Sequence, residues 1–136
     1  MFSGWLDVPG YTFYQVNLEQ RSMRLKSGFT SGLESIETRE YDGNIYYGLI
    51  KGFEREIIKR WYSIESIKRM IIEEYIKDNK MSFKRAVIAT NSDGVIENIY
   101  PTILRCATEL KTTSMAIIAH IKEGTPIKGL YLKKLK

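Results

Sequence analysis

His120 is the only histidine and Cys106 the only cysteine among 136 residues, so the side chains that most often move protons, attack carbonyls or hold metals are nearly absent. No Cys-x-x-Cys or second histidine completes a zinc site around His120, and a single cysteine excludes an intramolecular disulfide. A Gly-x-Ser-x-Gly elbow is missing as well. Gly28, Gly32, Gly43, Gly48 and Gly52 fall in neither of the two common phosphate-loop spacings. We therefore expect no catalytic residue, no metal and no cofactor. What the sequence does carry is placed charge. Lys84 to Lys136 holds nine Lys or Arg against four Asp or Glu, whereas residues 1–83 hold twelve of each. All of the net +5 therefore sits at one end. Such a distribution suits a polyanion-binding end on a neutral scaffold, and equally a solvated basic tail.

The elements that must position these charges can be read from pattern. Residues 5–60 read as one small antiparallel sheet, with strands at Tyr11–Val16, Ser22–Lys26 and Ile45–Lys51, a Gly/Ser turn region over Gly28–Gly32, and a reversal at Lys51-Gly52-Phe53 into Glu54–Lys59. Ser63 is a suitable N-cap for a helix running to Lys80, with Ile64, Ile67, Met70, Ile71 and Tyr75 on one stripe. Ile72 and Ile76 fall toward the edge of that stripe. They are left bare by the sheet, and we expect a second copy of the chain or a partner protein to cover them, which would make the central helix a candidate homodimer surface.

After Ser82 two short strands, Ala86–Thr90 and Val95–Tyr100, flank Asn91-Ser92-Asp93-Gly94, where Asp-Gly would supply the positive φ angles of a hairpin. Pro101 opens a helix over Thr102–Leu110, with Ile103, Cys106, Ala107 and Leu110 on its buried side. Thr113 caps a second helix, Ser114–Lys122, ended by Glu123-Gly124, and Gly129–Leu135 is a last strand. Two short helices across a tight turn are a helix-turn-helix, whose second helix offers its N-terminal residues to a DNA major groove. The fold class is thus α+β: an N-terminal β module (1–62), a connecting helix (63–82) and a C-terminal β-hairpin and helix-turn-helix module (83–136). No stretch approaches the roughly 18 apolar residues of a membrane span and no signal-peptide pattern opens the chain, so a cytoplasmic location is expected.

Val87-Ile88-Ala89-Thr90-x-x-Asp93-Gly94, Tyr100-Pro101-Thr102, Ala107-x-x-Leu110, Ser114 to Ile121 and Gly129-x-Tyr131 together resemble the C-terminal helix-turn-helix repeat of HNH homing endonucleases. That repeat reads as a strand, a D-G turn, a (Y/F)-P-S helix start, an A-x-x-L-G turn and a closing G-(Y/F) strand. Trp5-x-x-Val8-x-Gly10-Tyr11 with Tyr14-x-Val16 is similar to the opening of the N-terminal module of those enzymes, and Lys26-Ser27-Gly28 and Asp42-Gly43…Gly48-Leu49-x-Lys51-Gly52 fall at its later positions. The family's S-N-x-G turn is replaced by Asn17-Leu18-Glu19-Gln20. The nuclease core is missing: Lys59 falls where the general-base histidine belongs, and the helix from Ser63 replaces the Asp-His segment. A lysine near pKa ~10 stays protonated where an imidazole would accept a proton.

The resemblance implies a non-catalytic, sequence-selective protein on double-stranded DNA, encoded by a phage or other mobile element and regulating transcription or replication. Arg105, Lys111, Lys122, Lys128, Lys133 and Lys134 would contact phosphates, and Thr113, Ser114, Met115 and Ile118 would form the reading face. Arg21, Arg24, Lys26 and Lys51 would place the N-terminal sheet on neighbouring DNA. That face lacks the Arg, Asn or Gln of bidentate base contacts. An alternative is therefore a phage factor docking on a host protein such as RNA polymerase.

Overall fold

Alternation of aromatic and polar residues drives the first strands. In the computed structural model, which describes residues 2–26, 36–51 and 58–135, β1 (Trp5–Val8), β2 (Tyr11–Asn17) and β3 (Ser22–Leu25) form an antiparallel sheet with β2 central. Phe13 and Tyr14, adjacent in β2 and so on opposite faces, are both buried. The turn after β2 replaces the resemblance's S-N-x-G with side-chain chemistry. Asn17 Oδ1 accepts from Gln20 N at 2.9 Å, and Arg21 takes the left-handed conformation at φ 51°.

A second antiparallel sheet follows, of β4 (Glu37–Tyr41), β5 (Asn44–Lys51) and β6 (Ile58–Tyr62). The N-terminal region thus holds two three-stranded sheets where the sequence pattern reads one. β4 escapes that pattern because Glu-Thr-Arg-Glu-Tyr has no buried face; all five residues are exposed. Its pairing comes from the turn instead. Asp42 and Gly43 both take positive φ (50° and 79°), the geometry of a two-residue hairpin loop, with Tyr41 opposite Asn44. The reversal expected at Lys51-Gly52-Phe53 and the turn region at Gly28–Gly32 lie outside the described residues.

Two tyrosines of β2 tie these sheets together. The buried Tyr14 hydroxyl accepts from Ile50 N at 2.9 Å, at the end of β5 beyond its last described partner on β4. It thereby satisfies a backbone donor that the ladder leaves open. Tyr11 and Tyr62 meet hydroxyl to hydroxyl at 2.6 Å, with rings edge to face at 5.4 Å. Burial, then the Tyr62 hydrogen bond, pushes the Tyr11 phenol up to about 12.

α1 (Ile64–Asp78) begins where expected, with Ser63 Oγ accepting from Ser66 N at 3.2 Å. Contacts divide the chain inside this helix. Gly4–Ile71 form one compact unit, and residues 1–3 with Ile72–Lys136 form the other. Neither expected boundary of the helix is a unit boundary. Ile72 and Ile76 are correspondingly 3% and 0% exposed, so the expected bare edge is covered by the chain itself. The motive for a dimer through this helix is thereby removed. The sequence pattern, read as one stripe against one sheet, misses that the chain divides within the helix. In the second unit Phe2 packs edge to face on Tyr75 at 5.2 Å.

The second unit is built on β7 (Val87–Thr90), the centre of an antiparallel sheet ordered β8 (Ile96–Tyr100), β7, β9 (Tyr131–Lys134). Every residue of β7 is buried, so both of its faces are covered. Its turn differs in detail from expectation: only Gly94 takes positive φ, at 81°. Asn91 Oδ1 accepts from Asp93 N and Val95 N, so an asparagine side chain shapes the loop that Asp-Gly was expected to shape. Between β8 and β9 lie α2 (Ile103–Glu109) and α3 (Ser114–Glu123). The chain is α+β. Among the described residues no helix is long and apolar enough to cross a membrane.

The Tyr14 bridge yields a direct test. Tyr14→Phe keeps the ring but orphans the Ile50 amide, and is expected to cost about 1–3 kcal/mol of stability. A urea titration should show a lower midpoint with an unchanged slope; an unchanged midpoint would mean that water satisfies Ile50 and that the bridge is incidental.

Candidate nucleic-acid interface

The C-terminal helices are short, so their ends matter more than their propensities. Thr102, not Pro101, precedes the first turn of α2 as its N-cap, and its hydroxyl accepts from Arg105 N at 3.0 Å. Pro101 stands one position earlier than expected. α2 ends in a Schellman motif: Lys111 N donates to Thr108 O and Thr112 N to Ala107 O, with Lys111 left-handed at φ 56°. Glycine normally fills this position, as it does in the A-x-x-L-G turn of the resemblance. Thr113 then caps α3 by accepting from Ala116 N at 3.2 Å. At the far end Gly124 takes φ 71°, and His120 Nδ1 lies 2.9 Å from Thr125 Oγ1.

The packing beneath fixes which face of α3 is shown. Cys106, Ala107 and Leu110 of α2, Ile117 of α3, and Val87, Ala89, Tyr100 and Leu132 of the sheet form one buried cluster, with Ile103 and Ile121 partly buried against it. Ile117 is fully buried, and it is the buried residue of α3. The opposite face shows Met115, 81% exposed, and Ile118, 51% exposed. Lys122 is exposed one turn beyond Ile118, and Ser114 is half-buried at the helix start. The structure therefore brings Ser114, Met115, Ile118 and Lys122 onto one side of α3, while the Thr113 hydroxyl is occupied as cap.

The remaining cations fare unequally. Arg105 is paired with Glu109 at 3.0 Å along α2. Lys128 Nζ donates to Leu110 O at 2.6 Å, closing an orphan carbonyl at the end of α2. Lys134 Nζ donates to Lys84 O at 2.8 Å. Lys111, Lys122 and Lys133 stand exposed. The N-terminal set is engaged throughout. Arg21 pairs with Glu65 at 2.8 Å. Lys26 lies 3.4 Å from Asp7, Arg24 Nε donates to Gln15, and Gln15 in turn donates to Asp7. Arg24 also lies over the Trp5 ring at 4.3 Å. The Gln15 hydrogen bond, helped by Lys26, holds the Asp7 carboxyl below its ordinary value. Lys51 sits 5.5 Å from the Tyr11 ring. Arg24 and Lys26 thus share one polar network on the first sheet, and Arg21 and Lys51 stand apart from it.

A cation–aromatic stack that the sequence pattern does not reveal lies on the second sheet. Arg39 reaches across Gly48 to the Trp61 ring at 4.2 Å, and Lys59 flanks the same ring at 5.2 Å while pairing with Glu37. A Cβ on Gly48 would stand 3.0 Å from Trp61 and 2.7 Å from the Lys59 stem, so the missing side chain opens this lane. The Gly48–Trp61 register is the signal that joins them, and it exists only once the strands pair. Lys59, at the place of the general base in the resemblance, is here part of a surface stack.

No family model, curated protein or solved structure matches the chain. Among the described residues no group of three or more His, Cys, Asp or Glu is placed to hold a metal ion. Cys106 is fully buried, and burial, with the Glu109 carboxylate adding to it, raises its thiol to about 11. A nucleophile needs the thiolate, so this sulfur is packing rather than chemistry.

Lys111 offers the test of this architecture. A non-glycine residue in the left-handed region costs roughly 1–2 kcal/mol. Lys111→Gly is expected to leave thermal stability equal or raise it by up to about 1 kcal/mol. A melting temperature several degrees lower would show that this turn is not the αL Schellman turn described.

Proposed function

We propose that the chain is a non-catalytic, sequence-selective binder of double-stranded DNA, a regulator carried by a phage or other mobile element and acting in the cytoplasm of its bacterial host. The observation that carries this reading is the presentation of α3. One fully buried isoleucine anchors it, a threonine caps its start, and Ser114, Met115, Ile118 and Lys122 stand on its free side. A groove-reading helix requires this combination of a fixed inner face and a free N-terminal outer face. Met115 and Ile118 suit thymine methyl groups, and Lys111 and Lys122 suit phosphates. The strained lysine at position 111 supports the same reading, since a turn kept for stability alone would favour glycine there.

A specific observation favours a second reading. Leu104, 68% exposed on α2, adds to Met115 and Ile118 a third large apolar side chain in water. Exposed apolar groups of this kind also mark protein interfaces, so a host enzyme such as RNA polymerase is the competing partner. The two readings separate on sequence preference. Ser114→Ala with Met115→Ala is expected to reduce discrimination among duplexes and leave non-specific affinity nearly intact. Lys122→Ala should weaken binding to all duplexes and lower the salt slope by about 0.9. Equal effects of both variants on every duplex would remove the claim of base reading and leave the protein-docking alternative.

The non-catalytic part of the proposal has its own measurement. Supercoiled plasmid incubated for hours with Mg²⁺ or Mn²⁺ should remain intact. Nicking abolished by Lys59→Ala or by substitution of a neighbouring acid such as Glu37 would overturn it.

A further inference from the structure

The third sheet is electrically polarised along its strands. The β7–β9 register sets Val87 opposite Lys134 and Ile88 opposite Lys133. Lys84 and Arg85, just before β7, are thereby carried to the end of β9, and Lys134 Nζ reaches the Lys84 carbonyl across a separation of 50 residues. Lys84, Arg85 and Lys133 are exposed, and Lys134 is half-buried. Among the described residues none of the four forms an ion pair. The acids of this sheet lie toward its other end: Asp93 is in the β7–β8 turn, and Glu97 accepts from Asn91 there.

Four cations at one end of a sheet repel one another, whereas several cations among the described residues are quenched locally, as in Arg105–Glu109, Arg21–Glu65 and Lys26–Asp7. Among the described residues such quenching is missing at the end of the third sheet, as it is at Lys111 and Lys122, and a bound polyanion would relieve the repulsion there. β9 also packs on α3 within one compact unit, so this cluster and the reading face belong to one body. We infer that Lys84, Arg85 and Lys133 form a clamp on the phosphodiester backbone of duplex DNA, separate from α3, which supplies affinity without regard to base sequence. This rests on the DNA-binding reading above, and adds Lys84 and Arg85 to it. A membrane surface fits less well. Among the described residues the large exposed apolar side chains nearest these cations in the chain are Phe83, before Lys84, and Tyr131, two residues before Lys133, whereas membrane-surface segments bury a whole apolar face.

The test is the triple variant Lys84→Gln, Arg85→Gln, Lys133→Gln, with Lys134 kept for its hydrogen bond. Binding of the full chain to a random-sequence duplex of about 20 base pairs is measured between roughly 50 and 200 mM KCl. The slope of log K against log salt should fall by about 2–3, from roughly 0.9 per lost phosphate contact, with affinity near 100 mM down on the order of tenfold or more. Circular dichroism checks the fold, and Lys133→Gln alone should lower the slope by about 0.9 if the triple variant unfolds. Wild-type binding with an unchanged slope in these variants overturns the clamp and leaves DNA binding through α3 standing. A wild type that binds no duplex overturns both. Binding to vesicles containing phosphatidylserine but not to duplex, lost in the triple variant, would reassign the cluster to a membrane and overturn the clamp.

Discussion

Ile117 is the contact on which the C-terminal unit depends. α3 has ten residues and withdraws one of them fully from water, so its rotation about its own axis is set where Ile117 enters the cluster of Cys106, Ala107, Leu110 and Leu132. Burying such a side chain contributes about 1.5–3 kcal/mol, a large share of what holds so short a helix in place. The outward direction of Met115 and Ile118 is the geometric complement of that one insertion. The caps do the rest: Thr113 fixes where α3 starts, and the Schellman turn at Lys111 fixes the angle at which it leaves α2.

Electrostatics in this chain is a matter of partners more than of counts. The formal +5 sits in the C-terminal stretch, yet Arg105 there is spent on Glu109 and Lys128 on a helix-end carbonyl. In the N-terminal unit Arg24, Gln15, Asp7 and Lys26 form a closed polar network, which leaves that sheet face with little free charge. Exposed pairs of this kind add little stability. A cation already paired must also be unpaired before it can meet another anion.

The N-terminal unit solves a different problem. The core of this unit mixes aliphatic residues such as Val16, Leu49 and Ile67 with buried tyrosines, and β4 contributes nothing to it. Tyrosine adds hydrogen bonds to that area. Tyr14 fills space and its hydroxyl satisfies Ile50 N, while Tyr11 and Tyr62 satisfy each other's hydroxyls.

Much of the C-terminal unit was legible from sequence because its rules are local. Thr113 as cap, the 3.6-residue spacing of Ile117 and Ile121, and Gly124 as helix stop each act within a turn of the residue concerned. The class, α+β, follows from these periods and from the strand alternation. What only the tertiary structure decided is whatever depends on residues distant in the chain. Charged β4 exists because a hairpin turn pairs it, and Ile72 and Ile76 are buried although they fall at the edge of their helix's apolar stripe. Which lysines are tied, and that Lys84 meets Lys134 across 50 residues, depends on the pairing of β7 with β9. Local periodicity carries no information about such partners, because a side chain's charge and burial are set by what other strands place beside it.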